Sequence, residues 1–195
     1  MRVLYRKLVR DILGAWGQAA AVAAVVLCGT AVYVTMASAH RNLLLTRDAY
    51  YAQYRLADFW ISLERAPQSA VYRLQALPGV REVRGRIVQE VNLDIPGQDG
   101  PRTGRLVSMP VRRRPILNDI VVMSGRYFEG GRSNEVILSD SFAEANALEP
   151  GDTFQAIIAN RKHTLRVVGT ALSPEYVYTI RGGAELVPDA KSFGI

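Results

Sequence analysis

The chain has 195 residues, 49% of them hydrophobic, with 24 Lys and Arg against 18 Asp and Glu for a net charge of +6. That length holds one membrane segment and one soluble domain of about 150 residues with its own core, and the single cysteine, Cys28, excludes a disulfide-stapled module. Half of the positive excess lies in residues 1–11 (Arg2, Arg6, Lys7 and Arg10 against Asp11), so the remainder is only mildly basic and nucleic-acid binding is not supported. The one dense basic cluster, Arg112-Arg113-Arg114, has no interleaved aromatic to stack on a base and reads as a solvated loop.

In chain order, the first feature is the run from Ile12 to Ala39, which contains no Asp, Glu, Lys or Arg. As a helix it would extend about 42 Å, more than the roughly 30 Å of bilayer hydrocarbon, so a transmembrane helix is expected over 12–39. Gln18 and Trp16 lie near one end and Tyr33 nearer the other, where polar and amphipathic groups meet headgroups. The basic flank predicts a cytoplasmic N-terminus (1–11), with everything after Ala39 outside. Ala37-Ser38-Ala39 also fits a signal-peptide cleavage site, but the apolar run is about twice the usual 7 to 15 residues. Leu27 before Cys28 excludes lipoprotein processing.

Residues 40–57 contain no Gly or Pro, and Leu43, Leu44, Tyr50, Tyr51 and Tyr54 fall along one stripe of a helix. A stalk continuing the membrane helix is expected here. Its stripe is a candidate contact for a partner helix, or packs against the rest of the same chain.

Beyond the stalk, Asp58–Leu63 alternates as a strand, Pro67 introduces a helix over Gln68–Leu77, and Val80–Leu93 reads as a long strand. Residues 94–105, rich in Pro, Gly and Asp, read as a turn or hairpin tip. Strands are expected at Leu106–Val111, Ile120–Met123 and Glu135–Leu138. A helix is expected over Ser139–Ala147, with Ser139 or Asp140 as N-cap. Phe154–Ile158 and Leu165–Ala171 form a hairpin around Asn160-Arg161-Lys162-His163. The last fourteen residues look loop-like and lack a closing element, so the chain reads as cut short.

Chemistry is scarce. Gly125–Ser133 superficially follows a phosphate loop, but Gly131 and Arg132 stand where Lys and Ser or Thr are required, so a turn between strands is expected. His40 and His163 occur in no metal-ligand spacing, no G-x-S-x-G elbow is present, and Asp140 and Glu144 read as a solvated helix face. The expectation is a protein with no catalytic residues, no metal and no cofactor.

The order of several weak motifs resembles the outer domain of bacterial FtsX/MacB-type ABC transporter permeases. They are Ala57-Asp58 with Arg65-Ala66-Pro67, Leu77-Pro78-Gly79-Val80, Gly125-Arg126, Asn134 to Ser139, Leu148 to Thr153, Val167 to Ala171 and Ser173 to Tyr178. The resemblance covers nearly the whole chain. It implies an α+β architecture in which one N-terminal transmembrane helix continues into a stalk (40–57) and then a mixed α/β extracytoplasmic domain (58–195). Within that domain, 58–93 would form an α/β part, 94–171 an inserted β-rich part with one helix, and 172–195 a return segment; the family's later membrane helices are missing.

The resemblance further implies residence in the bacterial inner membrane and partnership with a cytoplasmic ATP-binding subunit. The other implied partners are a second permease copy or homologue, membrane lipid and an envelope protein. Its mechanism would pass ATP-driven helix tilting to the outer domain. A membrane-anchored or secreted binding module without an ATPase is the alternative from a different class, and an envelope hydrolase, for which no residue can be nominated, is a third.

Overall fold

The computed structural model describes residues 2–98, 100, 102–111, 113–180 and 187–195, and the chain divides into two compact units, one up to Ala49 and one from Tyr50 onward. The first consists of α1 (Arg2–Gly14) and most of α2 (Trp16–Gln53). Only Ala15 interrupts the helical assignment, and helical bonding passes through it: Ala15 N–H donates to Asp11 O at 3.1 Å, and Ala19 N–H to Ala15 O at 3.1 Å. Helix therefore begins well before Ile12, with its irregularity between Gly14 and Gly17, the poorest helix formers in the region.

At 38 residues α2 is about 57 Å long. Its most apolar stretch has a mean hydropathy of 2.0, and none of its residues is buried by the protein. The hydroxyl of Thr30 is satisfied within the helix, donating to Val26 O (2.9 Å) and Leu27 O (3.0 Å), as an apolar surrounding requires. The helix passes Ala37-Ser38-Ala39 and His40 without interruption.

The second unit is built on one curled, seven-stranded sheet with two short helices, α3 (Ser69–Gln75) and α4 (Asp140–Ala145). The strands are β1 (Val88–Asp94), β2 (Arg102–Val107), β3 (Val121–Gly125), β4 (Glu135–Ser139), β5 (Thr153–Ile158), β6 (Arg161–Leu172) and β7 (Phe193–Gly194). Their order is β3-β6-β5-β1-β2-β7, with β4 also paired to β6. The twelve-residue β6 organises the sheet: its first half pairs antiparallel with β5, its last residues pair antiparallel with β3, and Arg166–Ala171 pairs parallel with β4.

The curl brings the outer strands together at one point. Ser139 N–H, at the end of β4, donates to the carbonyl of Ile195, just after β7, at 2.6 Å, and Ile195 N–H returns to Ser139 Oγ at 3.4 Å. Alternate residues inside the curl (Val91 and Leu93 of β1, Phe154 and Ala156 of β5, Leu165 and Val167 of β6) form the core with Leu138, Phe142, Ala143 and Leu148. Phe142, from α4, is 1% exposed.

Several local expectations are corrected. Asp58–Leu63 forms no strand: every residue in it is exposed, Phe59, Trp60, Ile61 and Leu63 included. Residues 80–87 are non-helical but lie outside any ladder, with Glu82, Arg84 and Arg86 held by their side chains; the strand begins only at Val88. The turn-rich stretch already enters β2 at Arg102. The β5–β6 hairpin closes on just two residues, Ala159 (φ 48°) and Asn160 (φ 61°), so Arg161–His163 belong to β6. The terminal residues include β7, paired parallel to β2 at Thr103↔Phe193 and Gly104↔Gly194, a closing strand not expected from so short and glycine-containing a segment.

Candidate functional site

The best-defined polar constellation lies where α2 ends, among residues that all belong to the second unit. Leu56 N–H donates to Tyr51 O (2.9 Å) and Arg55 N–H to Ala52 O (3.4 Å), the paired bonds of a Schellman helix stop. Such a stop needs one left-handed residue, usually glycine. Here it is Arg55, at φ 53°.

Arg55 repays that conformation with its side chain. Its guanidinium pairs with Glu82 and donates to Pro115 O at 3.3 Å. The backbone on either side is fastened to the same loop: Asn118 N–H donates to Arg55 O and Asp119 N–H to Tyr54 O, both at 3.0 Å.

Residues 82, 84 and 86 alternate on an extended segment, which places their side chains on one side. Glu82 takes Arg55. Arg84 reaches Leu117 O (2.9 Å) and Ser108 O (3.0 Å); its burial, then its neighbour Arg86, lowers its pKa. Arg86 forms a two-pronged pair with Glu175, whose hydrogen bonds raise the arginine's pKa against the opposing effect of burial. The Arg86 and Glu175 side chains are 17% and 10% exposed, so solvent screens this pair poorly.

Asn118 joins these pieces. It is buried, sits at φ 54°, accepts from Ala57 N–H through Oδ1 (2.8 Å) and donates through Nδ2 to Glu175 Oε2 (2.7 Å). The helix stop, the 115–119 loop, the 82–86 segment and the 175 region thus share one hydrogen-bonded network. Tyr176 beside it has its pKa raised chiefly by burial, then by the Glu175 charge. Every side chain in this network is held by a partner that fixes its position; it contains no nucleophile paired to a base. Its chemistry is that of a fastening.

Of the stripe residues, Leu43 and Leu44 lie in the first unit, 70% and 37% exposed. Tyr50, Tyr51 and Tyr54 are half-buried in the second, where Tyr50 packs against Tyr54 at 5.0 Å between ring centres and Tyr51 at 6.0 Å. Burial, then Tyr54 and Tyr51, raises the Tyr50 pKa. The sequence reading missed Arg55, Arg86, Asn118 and Glu175. The signal available was the two-residue spacing of Glu82, Arg84 and Arg86, which resembles any solvated strand until partners are known.

The glycine-rich stretch after β3 folds around a carboxylate. Glu135 Oε1 accepts from Arg126 Nη2 (2.6 Å) and Arg132 Nη1 (3.5 Å), and Oε2 from Arg126 Nη1 (3.2 Å) and Glu129 N–H (3.1 Å). These partners cover the Glu135 side chain to 1% exposure. The Arg126 hydrogen bond, then the Glu129 N–H, lowers its pKa to about 2. Both arginines are thereby turned onto protein rather than offered to a phosphate. His163 is exposed on β6, and among the described residues no group of three or more His, Cys, Asp or Glu is placed to hold a metal.

No family model matches this chain, and neither does any curated protein or solved structure. The fold defines a mixed helix-and-sheet protein: one long apolar N-terminal helix followed by a curled sheet.

Proposed function

We propose that this chain is the N-terminal, membrane-anchored portion of a permease subunit of an ABC transporter, of the kind the FtsX/MacB resemblance describes, in which a helix transmits ATP-driven movement to an extracytoplasmic domain. The observation that carries the proposal is the continuity of α2: one helix includes both residues 16–39 of the apolar run and Tyr50–Gln53, which belong to the sheet unit. A rod that is to pass on tilt needs no break along its length and a firm end. The uninterrupted passage through His40 supplies the first, and the Arg55–Glu82 and Asn118–Glu175 connections the second. The basic flank before Ile12 orients the N-terminus to the cytoplasm of a bacterial cell and the sheet unit outside it.

Co-purification of the full-length gene product tests this directly. An ATP-binding subunit retained through detergent extraction, together with reporter fusions at Pro150 that are active only outside the cytoplasm, is the expected result. A stable product that never retains such a subunit supports instead an anchored binding module; a mature chain beginning at His40 overturns the anchored topology.

A further inference from the structure

We propose that α1 is a membrane-surface anchor, lying in the headgroup layer of an anionic leaflet with Leu4, Tyr5, Leu8 and Val9 toward the acyl chains and Arg6, Lys7 and Arg10 toward lipid phosphates. At about 100° per residue, the four apolar side chains occupy one arc of about 140° and the three cations a separate arc of about 100°. Val3 is the apolar residue on the basic side. Among the described residues the apolar arc is left open, most at Leu4 (76% exposed), Tyr5 (70%) and Leu8 (58%) and least at Val9 (38%).

α2 is different in kind, apolar on all sides between Trp16 and Ala39, which suits the hydrocarbon interior. A two-faced basic helix suits the boundary. The two meet at Ala15, where the helix is irregular although its bonding passes through, between Gly14 and Gly17, at neither of which would a side chain meet a neighbour within 4 Å. Within this chain these glycines pack against no described neighbour, and they are the positions at which the helix can turn from the span into the membrane plane.

Two observations select lipid over an acidic protein as the occupant. The cationic arc matches anionic headgroups in sign, and the apolar arc is covalently continuous with a helix long enough to cross the bilayer. The inference rests on α2 spanning the membrane, one part of the function proposed above, and not on the ATP-binding partner.

The test uses the full chain carrying Cys28→Ser, with single spin-labelled cysteines at successive positions 4–10, in phosphatidylethanolamine vesicles containing phosphatidylglycerol. Expected is an oscillation of about 3.6 residues, with oxygen access highest at Tyr5 and Leu8 and access to a water-soluble relaxant highest at Arg10. Combined Arg6→Gln, Lys7→Gln and Arg10→Gln should shift the balance toward the water-exposed state by roughly a hundredfold. A steady depth gradient would mean that α1 prolongs the span, and uniform water access that it leaves the membrane; either overturns the proposal. An oscillation unchanged by the triple substitution overturns the anionic-lipid assignment. Absence of the label from the membrane because the mature chain begins at His40 overturns this inference and the anchored topology together, whereas failure to retain an ATP-binding subunit overturns only the permease reading.

Discussion

Asn118 donates to the Glu175 carboxylate at 2.7 Å while accepting from Ala57 N–H at 2.8 Å, so one buried amide joins the residue leaving α2 to the carboxylate that neutralises Arg86. Removing it leaves Ala57 N–H unpaired and Glu175 short of one donor, a loss of about 1–3 kcal/mol. Asn118 also holds φ 54°. Asn118→Gly keeps the backbone conformation and loses only the side-chain bonds, whereas Asn118→Ala adds about 1 kcal/mol of strain. Urea unfolding followed by circular dichroism should rank wild type above Asn118→Gly above Asn118→Ala. Equal stability of all three would mean that the amide fastens nothing.

Arg55 tests the helix stop in the opposite sense. Its left-handed conformation costs about 1 kcal/mol relative to glycine, and its pairing with Glu82, whose side chain is 28% exposed, returns about as much. Arg55→Gly should therefore leave stability within about 0.5 kcal/mol of wild type. Arg55→Ala keeps the strain and loses the partners, and should cost about 1 kcal/mol or more in the same unfolding assay. If alanine is tolerated as well as glycine, the left-handed conformation carries no strain at this site.

What the sequence disclosed and what it hid divide along a physical line. Apolar runs and periodicity act over neighbouring residues, so α2, from its uncharged length, and the strands carrying Val91, Leu93, Phe154, Leu165 and Val167 were legible. The network at the helix end was not, because its members, Arg55, Glu82, Asn118 and Glu175, come from four separated stretches and each alone is an ordinary polar residue. Asp58–Leu63 misled for a related reason: alternation marks a segment able to pair, but the described residues offer it no ladder partner. Of the two N-caps expected, Ser139 holds the position before α4, yet its hydroxyl makes no cap bond and instead accepts from Ile195 N–H, a contact that only the curl of the sheet creates.

Glu135 makes acid stability specific. Its folded pKa of about 2 lies below the ordinary 4.5, so its pairing with Arg126 contributes fully above about pH 4.5 and is lost as pH falls toward 2. Glu135→Gln has no carboxylate to protonate. Between pH 4.5 and pH 2 its unfolding midpoint should fall less steeply than that of the wild type, and above that window the substituted protein should be the less stable of the two. Parallel pH profiles would show that the carboxylate does not feel its arginines in the folded state.

Gly194 is where the sheet closes on its core. A Cβ built there would overlap the Phe142 ring, and Phe142 is 1% exposed with no free space to retreat into. β7 itself is only two residues long, held to β2 at Thr103 and Gly104, so it has little pairing energy with which to resist displacement. Gly194→Ala should thus push β7 outward, weaken the adjoining Ser139–Ile195 bond of 2.6 Å and cost about 1–3 kcal/mol. Amide exchange at Ser139 should accelerate in parallel, because its N–H is the donor in that bond. Phe142→Leu alone should destabilise by opening space, but combined with Gly194→Ala it should recover part of the loss, since the smaller side chain gives way where the new methyl enters. Strictly additive losses in the double variant would place the two residues out of contact and remove the basis for the closure.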